Sequence, residues 1–270
     1  MLAVARDGPV LRVALARPDR RNAFDAALIA RLHETFADVG DARVVVVTGE
    51  GPSFCAGADV EWQRASIDLS LEENVADAAR LYRMLAAVND CPAPVIAGVH
   101  GYALGGGSGL AACADVVVAA ADAIFGFTEV RLGIAPAVIS PFALAKVGAH
   151  ARRYFTTGER FDARTAMRIG LVDELADDLE AAVARIVADV LQSGPQAVRA
   201  AKRLALDRPA DGEELARIAA ALRSGEEGQE GLRAFLEKRS AAWRALPASP
   251  ARARGEGRVP GPPAGRCTSA

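Results

Sequence analysis

The stretch His100-Gly-Tyr-Ala-Leu-Gly105-Gly106-Gly107-Ser108-Gly109, running on through Asp115 to Glu129, decides the reading of this 270-residue chain. Glycine loses more backbone entropy on folding than any other residue. A run of glycines therefore marks main chain that approaches something closely or takes torsions other residues refuse. An apolar strand pattern, Pro94-Val-Ile-Ala-Gly-Val99, precedes the run, and a small-residue helix, Leu110-Ala-Ala-Cys-Ala114, follows it. A helix N-terminus offers unpaired N–H groups and the positive end of the helix dipole. The segment reads as backbone built to hold a negative oxygen, an oxyanion hole. Rival patterns fail on spacing. A nucleophile elbow around Ser108 and a dinucleotide fingerprint counted from Gly105 both need glycine at position 110, which is leucine. No G-x-x-x-x-G-K-[ST] run occurs either.

A second segment, Gly51-Pro-Ser-Phe-Cys-Ala-Gly57-Ala58-Asp59-Val60, follows the buried-strand pattern Val44-Val-Val-Val-Thr48. Three further pieces fall in order: Arg17-Pro-Asp-Arg-Arg-Asn22-Ala23, Thr128-Glu129-Val-Arg-Leu-Gly133-Ile-Ala-Pro136 and Glu230-Gly-Leu-Arg-Ala-Phe235-Leu-Glu-Lys238-Arg239. Together these motifs resemble the enoyl-CoA hydratase/isomerase (crotonase) superfamily, over about residues 10 to 243. Within it, Glu129 to Pro141 and Tyr154-Phe-Thr-Thr-Gly-Glu-Arg-Phe-Asp162 are most like bacterial methylglutaconyl-CoA hydratases.

The resemblance implies an α/β fold, a spiral of ββα units with a helical C-terminal region. It divides the chain into a core of residues 1–174, helices over 175–246 that complete the acyl-CoA site and carry trimer contacts, and a tail over 247–270. It implies that the backbone N–H groups of Ala58 and Gly106 form the oxyanion hole and that Glu129 is the acid/base. The substrate contacts implied are Arg21, Ala23, Ala56, Gly57, Asp59, Tyr102, Leu104, Gly105, Gly109, Pro136, Phe235 and Lys238. The CoA thioester is the substrate, with no separate cofactor, and a homotrimer or dimer of trimers is expected.

The chemistry suits these assignments. Reaction beside a thioester carbonyl develops charge on the carbonyl oxygen, which fixed amide donors stabilise. A carboxylate in an apolar pocket has the raised pKa that proton transfer near neutral pH requires. One departure stands out. Standard hydratases carry a second glutamate where this chain has Gly109, so two carboxylates cannot hold one water from those positions. Three readings follow: a single-glutamate hydratase of the methylglutaconyl type, an isomerase that shuttles a proton with Glu129, or an acyl-CoA-binding protein without turnover. Thioester hydrolysis with the same groups is a further alternative. A serine hydrolase built on Ser108 or Ser53 has no elbow and no triad order to support it. A distal carboxylate on the acyl chain calls for a cation or hydrogen-bond donor; Arg64, Arg83, Arg131, Lys146, His100 and His150 are available, and the sequence does not choose among them.

Composition bounds the partners. Hydrophobic residues make up 51% and charged residues 24%, and the net charge of -2 with scattered Lys and Arg argues against nucleic acid. The Arg17–Arg21 stretch is locally basic and reads as a solvated loop or a contact with CoA phosphates. No run of about 18 uncharged apolar residues forms a membrane span, and charges at Arg6 and Asp7 come too early for a signal peptide. Cys55, Cys91, Cys113 and Cys267 lie far apart with only three His in the chain, so no metal or disulfide is expected and a cytoplasmic location is.

Strands are expected at Val10–Leu15, Val44–Val47, Val95–Val99, Val116–Ala119 and Ile124–Phe127. Helices are expected from Asp25 to Ala37, from Asp77 to Val88, from Ser140 as N-cap to Gly148, and from Asp162 to Gly170. Beyond Leu175 only helices are expected: Leu179–Leu191, Pro195–Leu206, Gly212–Leu222 and Glu226–Trp243.

Overall fold

The computed structural model describes residues 1–244, so the segment read as a tail, and Cys267 within it, lie outside the described residues. Strands β1 (Leu2–Asp7) and β2 (Val10–Leu15) form an antiparallel hairpin. Strands β3 (Val44–Gly49), β4 (Val95–Val99), β5 (Tyr102–Leu104), β6 (Val116–Ala120), β7 (Ile124–Gly126), β8 (Arg160–Asp162) and β9 (Glu174–Ala176) follow. They make two sheets, a six-stranded one in the order β1-β2-β3-β4-β6-β9 and a three-stranded one in the order β5-β7-β8. From β2 onward the large sheet is parallel, with Val45 opposite Val95 and Ile96 opposite Val116.

A parallel sheet is covered on both faces, which is why β3 is an unbroken valine run. Side chains alternate across a strand. Val45 and Val47 join the main core, while Val44 and Val46 pack with Val183, Val187 and Leu191 of the helix over Leu179–Gln192 in a separate cluster on the other face.

Helix α1 (Ala26–Ala37) starts where Asp25 accepts a hydrogen bond from the Leu28 N–H. Helix α2 (Val60–Ala65) is capped by Asp59. Helix α3 (Leu71–Asn89) begins six residues before the expected Asp77, because Ser70 and Glu73 form a reciprocal capping box. Helix α4 (Gly106–Ala112) begins inside the glycine run rather than at Leu110. In α5 (Ser140–Val147) the cap position is Ile139, not Ser140, whose hydroxyl donates back to the Ala137 carbonyl. Then come α6 (Ala151–Thr157), which the sequence pattern missed, and α7 (Ala163–Arg168), capped by Asp162 as expected.

The C-terminal region is not purely helical. Strand β9 pairs with β6 across the boundary read at 174/175. Helices α8 (Leu179–Gln192), α9 (Pro195–Asp207), α10 (Gly212–Ser224) and α11 (Glu226–Leu236) complete the described chain. The last ends well short of Trp243. Lys238 takes a left-handed φ of 54°, and Arg239 folds back onto Glu230 at 2.9 Å.

Candidate active site

Three chain segments meet beside α4. The backbone of Cys55 pairs with β5, its N–H donating to the Tyr102 carbonyl at 2.9 Å and its carbonyl accepting from Leu104 at 3.0 Å. This lays Ala56, Gly57 and Ala58 alongside the glycine run. A second bridge, between Phe24 and Ala58, fixes the outer side of that segment. The fit is close. A Cβ on Gly57 would lie 2.8 Å from the Leu104 carbonyl oxygen and 3.9 Å from the Gly106 nitrogen. Gly57 also sits at φ 97°, which only glycine takes readily.

The N–H groups of Ala58 and Gly106 find no backbone acceptor among the described residues. Ser108 is wholly buried. Its hydroxyl donates to the Ala103 carbonyl at 2.6 Å and accepts from the Gly126 N–H at 3.2 Å. It ties α4 to β5 and β7, a structural task that leaves it no role as a nucleophile.

The same stitching delivers Glu129. Gly105 N–H donates to the Gly126 carbonyl at 2.8 Å. Three residues beyond Gly126 the chain enters a short 3-10 helix, Glu129–Leu132, closed by Gly133 at φ 75°. The Glu129 carboxyl lies against Gly105, where an added Cβ would be 3.3 Å from Oε1. Its Oε2 is buried and unpartnered. Burial pushes the pKa of Glu129 up, against a smaller downward pull from its own backbone amide.

These groups border one cavity of about 410 Å³. Ala56, Gly57, Ala58, Leu104, Gly105, Gly106, Glu129 and Pro136 all line it. A face of α3 made by Asn74, Asp77, Ala78 and Leu81 forms one wall, spaced as successive helical turns demand. The loop through Ile134 and Ile139 forms another.

The remaining expected contacts lie off this lining. Arg21 is exposed, in a left-handed turn at φ 48°, with its guanidinium 6.0 Å from the Tyr102 ring centre. Ala23 is buried, and its carbonyl accepts from Arg17 at 2.5 Å. Asp59 caps α2 and pairs with Arg17 at 3.2 Å. Burial alone would raise its pKa; the Glu61 amide and Arg17 outweigh that and hold it below the usual range. Gly109 is packed under Ile139. Phe235 and Lys238 are exposed at the end of α11.

The sequence matches known proteins along nearly its whole length. The pattern of the enoyl-CoA hydratase/isomerase family fits residues 5–245. The chain belongs to that family. It is 37% identical over 245 residues to a putative enoyl-CoA hydratase of Thermus thermophilus, covering 86% of this chain and 96% of that one. It is 36% identical to the 2,3-dehydroadipyl-CoA hydratase of Escherichia coli, covering 88% and 96%. Its fold superposes on Pseudomonas aeruginosa AtuE with a TM-score of 0.86 at 36% identity, covering 90% of this chain and 99% of that one. The fold is thus the mixed α/β crotonase fold with a helical C-terminal region, and the relatives' names place the chain among hydro-lyases of acyl-CoA thioesters.

The structure places the groups that the sequence left open. None of Arg64, Arg83, Arg131, Lys146, His100 or His150 lines the cavity; the cation that does is Arg160. Lys146 instead donates to the Asp115 carbonyl at 3.2 Å, and His100 bonds the Gly51 carbonyl at 2.8 Å. In the basic stretch, Arg17 is held by Asp25 and Asp59, so it is not free for phosphate. Asn22, wholly buried, donates to the Glu50 and Ser53 carbonyls at 2.9 and 2.7 Å and accepts from Arg17 N–H, which joins the two loops that carry Ala23 and Ala56. Asn74 and Asp77 carried no motif, and Arg160 stood in the Tyr154–Asp162 motif without an assigned role; their place in the fold brings all three to the cavity.

Cys55, Cys91 and Cys113 are buried and unpaired, and burial pushes the Cys55 thiol up to about 12. Among the described residues no group of three or more His, Cys, Asp or Glu is placed to hold a metal. No described helix is long and apolar enough to cross a membrane.

Proposed function

We propose that the protein is an enoyl-CoA hydratase that adds water across the C2–C3 double bond of a 3-methyl-branched, methylglutaconyl-like enoyl-CoA. The observation that carries this reading is a buried, unpartnered Glu129 oxygen in the same cavity as two unpaired amides. A buried carboxyl without a partner is costly, so its retention beside fixed donors supports a catalytic use.

In this reading the amides of Ala58 and Gly106 hold the thioester oxygen as it becomes enolate-like. Two such donors are worth roughly 3 kcal/mol each in other oxyanion holes. Glu129 takes a proton from water and returns it to C2, so one carboxylate serves both halves of the addition. Arg160, which borders the cavity and forms no ion pair among the described residues, is the partner for a distal carboxylate. A relative named for a dicarboxylic acyl chain, the dehydroadipyl-CoA hydratase, supports that assignment.

The C-terminal end supports assembly. Phe235 and Leu236 are 79% and 77% exposed at the end of α11, beside Leu232 at 47%. A closed homotrimer or dimer of trimers covers such a surface and brings Phe235 and Lys238 to a neighbour's substrate.

Incubation with crotonyl-CoA, 3-methylcrotonyl-CoA and 3-methylglutaconyl-CoA, read by mass spectrometry, tests the activity. Gain of one water mass supports hydration. Unchanged mass with a moved double bond means isomerisation, for which one carboxylate suffices. Free CoA means hydrolysis, and no reaction means binding alone; each of these three outcomes overturns the hydratase.

A further inference from the structure

Hydration demands more than a base. An attacking water carries two O–H bonds, and a carboxylate that accepts from one leaves the other free to swing, so the lone pair is not aimed at C3. A second acceptor on the cavity wall removes that freedom. Position 109 cannot supply it. A Cβ there would lie 2.5 Å from Ile139 Cγ2, so Ile139 fills the space a longer side chain would need.

Among the described residues that line the cavity, the carboxylates are Glu129 and Asp77. Asp77 stands on the inner face of α3. Arg80 Nη1 holds its Oδ1 at 2.9 Å. The side chain is only 15% exposed, in a wall shared with Ala78 and Leu81. Neutral side-chain oxygens on the same lining come from Gln63, Ser66, Asn74 and Thr128, and two of these side chains are engaged as donors. The Ser66 hydroxyl donates to the Gln63 carbonyl at 2.7 Å, and the Asn74 amide donates to the carbonyls of Ser66, Leu69 and Ser70. A charged acceptor also makes a stronger hydrogen bond than a hydroxyl or amide.

We propose that Asp77 is a second catalytic carboxylate, which holds the attacking water by its second O–H while Glu129 takes the first proton. This rests on the hydratase reading. The water oxygen forms the bond to C3, and the C2=C3 pair moves to C2 and the thioester oxygen. Glu129 returns its proton to C2 as the enolate collapses. The second proton stays on the new hydroxyl, still donated to Asp77. One H and one OH are added, and both carboxylates end as they began.

The test separates water from enolate chemistry. If the hydratase reading holds, Glu129 and the two amides should also exchange the C2 hydrogen of butyryl-CoA in deuterium oxide, a reaction with no attacking water. Asp77→Asn keeps the shape and removes the charge. Hydration kcat should fall roughly 10–10²-fold, while KM and the exchange rate followed by NMR stay within about twofold. Arg80→Gln, which frees Asp77 without touching the cavity wall, should show the same pattern more weakly and serves if Asp77→Asn does not fold. Hydration above half of wild type in Asp77→Asn overturns the inference alone. So does exchange that falls in step with hydration, which would mark a purely structural residue. Wild-type enzyme that exchanges but hydrates none of the three enoyl-CoAs overturns the hydratase reading, and this inference with it.

Discussion

Gly109 and Ile139 occupy one side chain's worth of space between them: a Cβ on Gly109 would lie 2.5 Å from Ile139 Cγ2 and 2.8 Å from its Cβ. Ile139 is itself buried and lines the cavity. An alanine in a helix interior is ordinarily better than glycine by about 1 kcal/mol, yet here the clash reverses the sign. Gly109→Ala should destabilise by about 1–3 kcal/mol, and Gly109→Glu by more, without gaining a useful acid. Adding Ile139→Ala to Gly109→Ala should recover part of the loss, a coupling of roughly 0.5–3 kcal/mol in urea unfolding. Simple additivity would show that the two residues do not share this space.

Glu129→Gln should retain acyl-CoA binding by calorimetry and lose turnover by roughly 10²–10⁴-fold. More than half of wild-type hydration remaining would exclude Glu129 as the acid/base.

The raised pKa of Glu129 has a stability counterpart with a definite sign. Burial disfavours the charged form, so the folded state holds the proton to higher pH than the unfolded state does. Below the unfolded pKa both states are protonated and there is no penalty. As pH rises past it, the unfolded chain ionises first and stability is lost, until the folded group also ionises. Glu129→Gln should therefore raise Tm at neutral pH relative to wild type and leave it nearly unchanged near pH 3. The acid limb of the hydration profile should lie above the ordinary glutamate range. An equal Tm shift at both pH values would contradict the burial argument.

Gly105 holds φ 51° and ψ -121° directly against the Glu129 carboxyl. Gly105→Ala combines backbone strain of about 1–3 kcal/mol with displacement of the acid/base. It should lower both Tm and kcat, whereas Gly133→Ala, also at positive φ but with open space around it, should lower Tm with a smaller loss of kcat. Steady-state kinetics on the two variants at a temperature where both are folded makes the comparison.

Assembly is testable through α11. Light scattering of the wild type should give a trimer or hexamer, and Phe235→Asp together with Leu236→Asp should shift it to monomer. A wild-type monomer at micromolar concentration would remove the oligomer from the reading.

The sequence by itself determined the parts whose signals are local. The resemblance carried by the paired glycine motifs pointed to Ala58 and Gly106, and both line the cavity with Glu129. The caps Asp25 and Asp162 were legible because a side chain three residues from the amide it accepts needs no distant partner. Strands β2 and β3 were legible from their apolar, valine-rich runs. Tertiary structure alone decided the rest. The three-residue strands β5 and β8 exist through pairing with β7, and neither is long enough to show a period. The α3 face with Asn74 and Asp77 becomes a wall because the fold brings it to the cavity that Glu129, more than 50 positions along the chain, also lines. Ile139 closes the space at Gly109 from 30 positions away. Such complementarity depends on which side chains meet in three dimensions, and no periodicity or motif spacing along one chain records it.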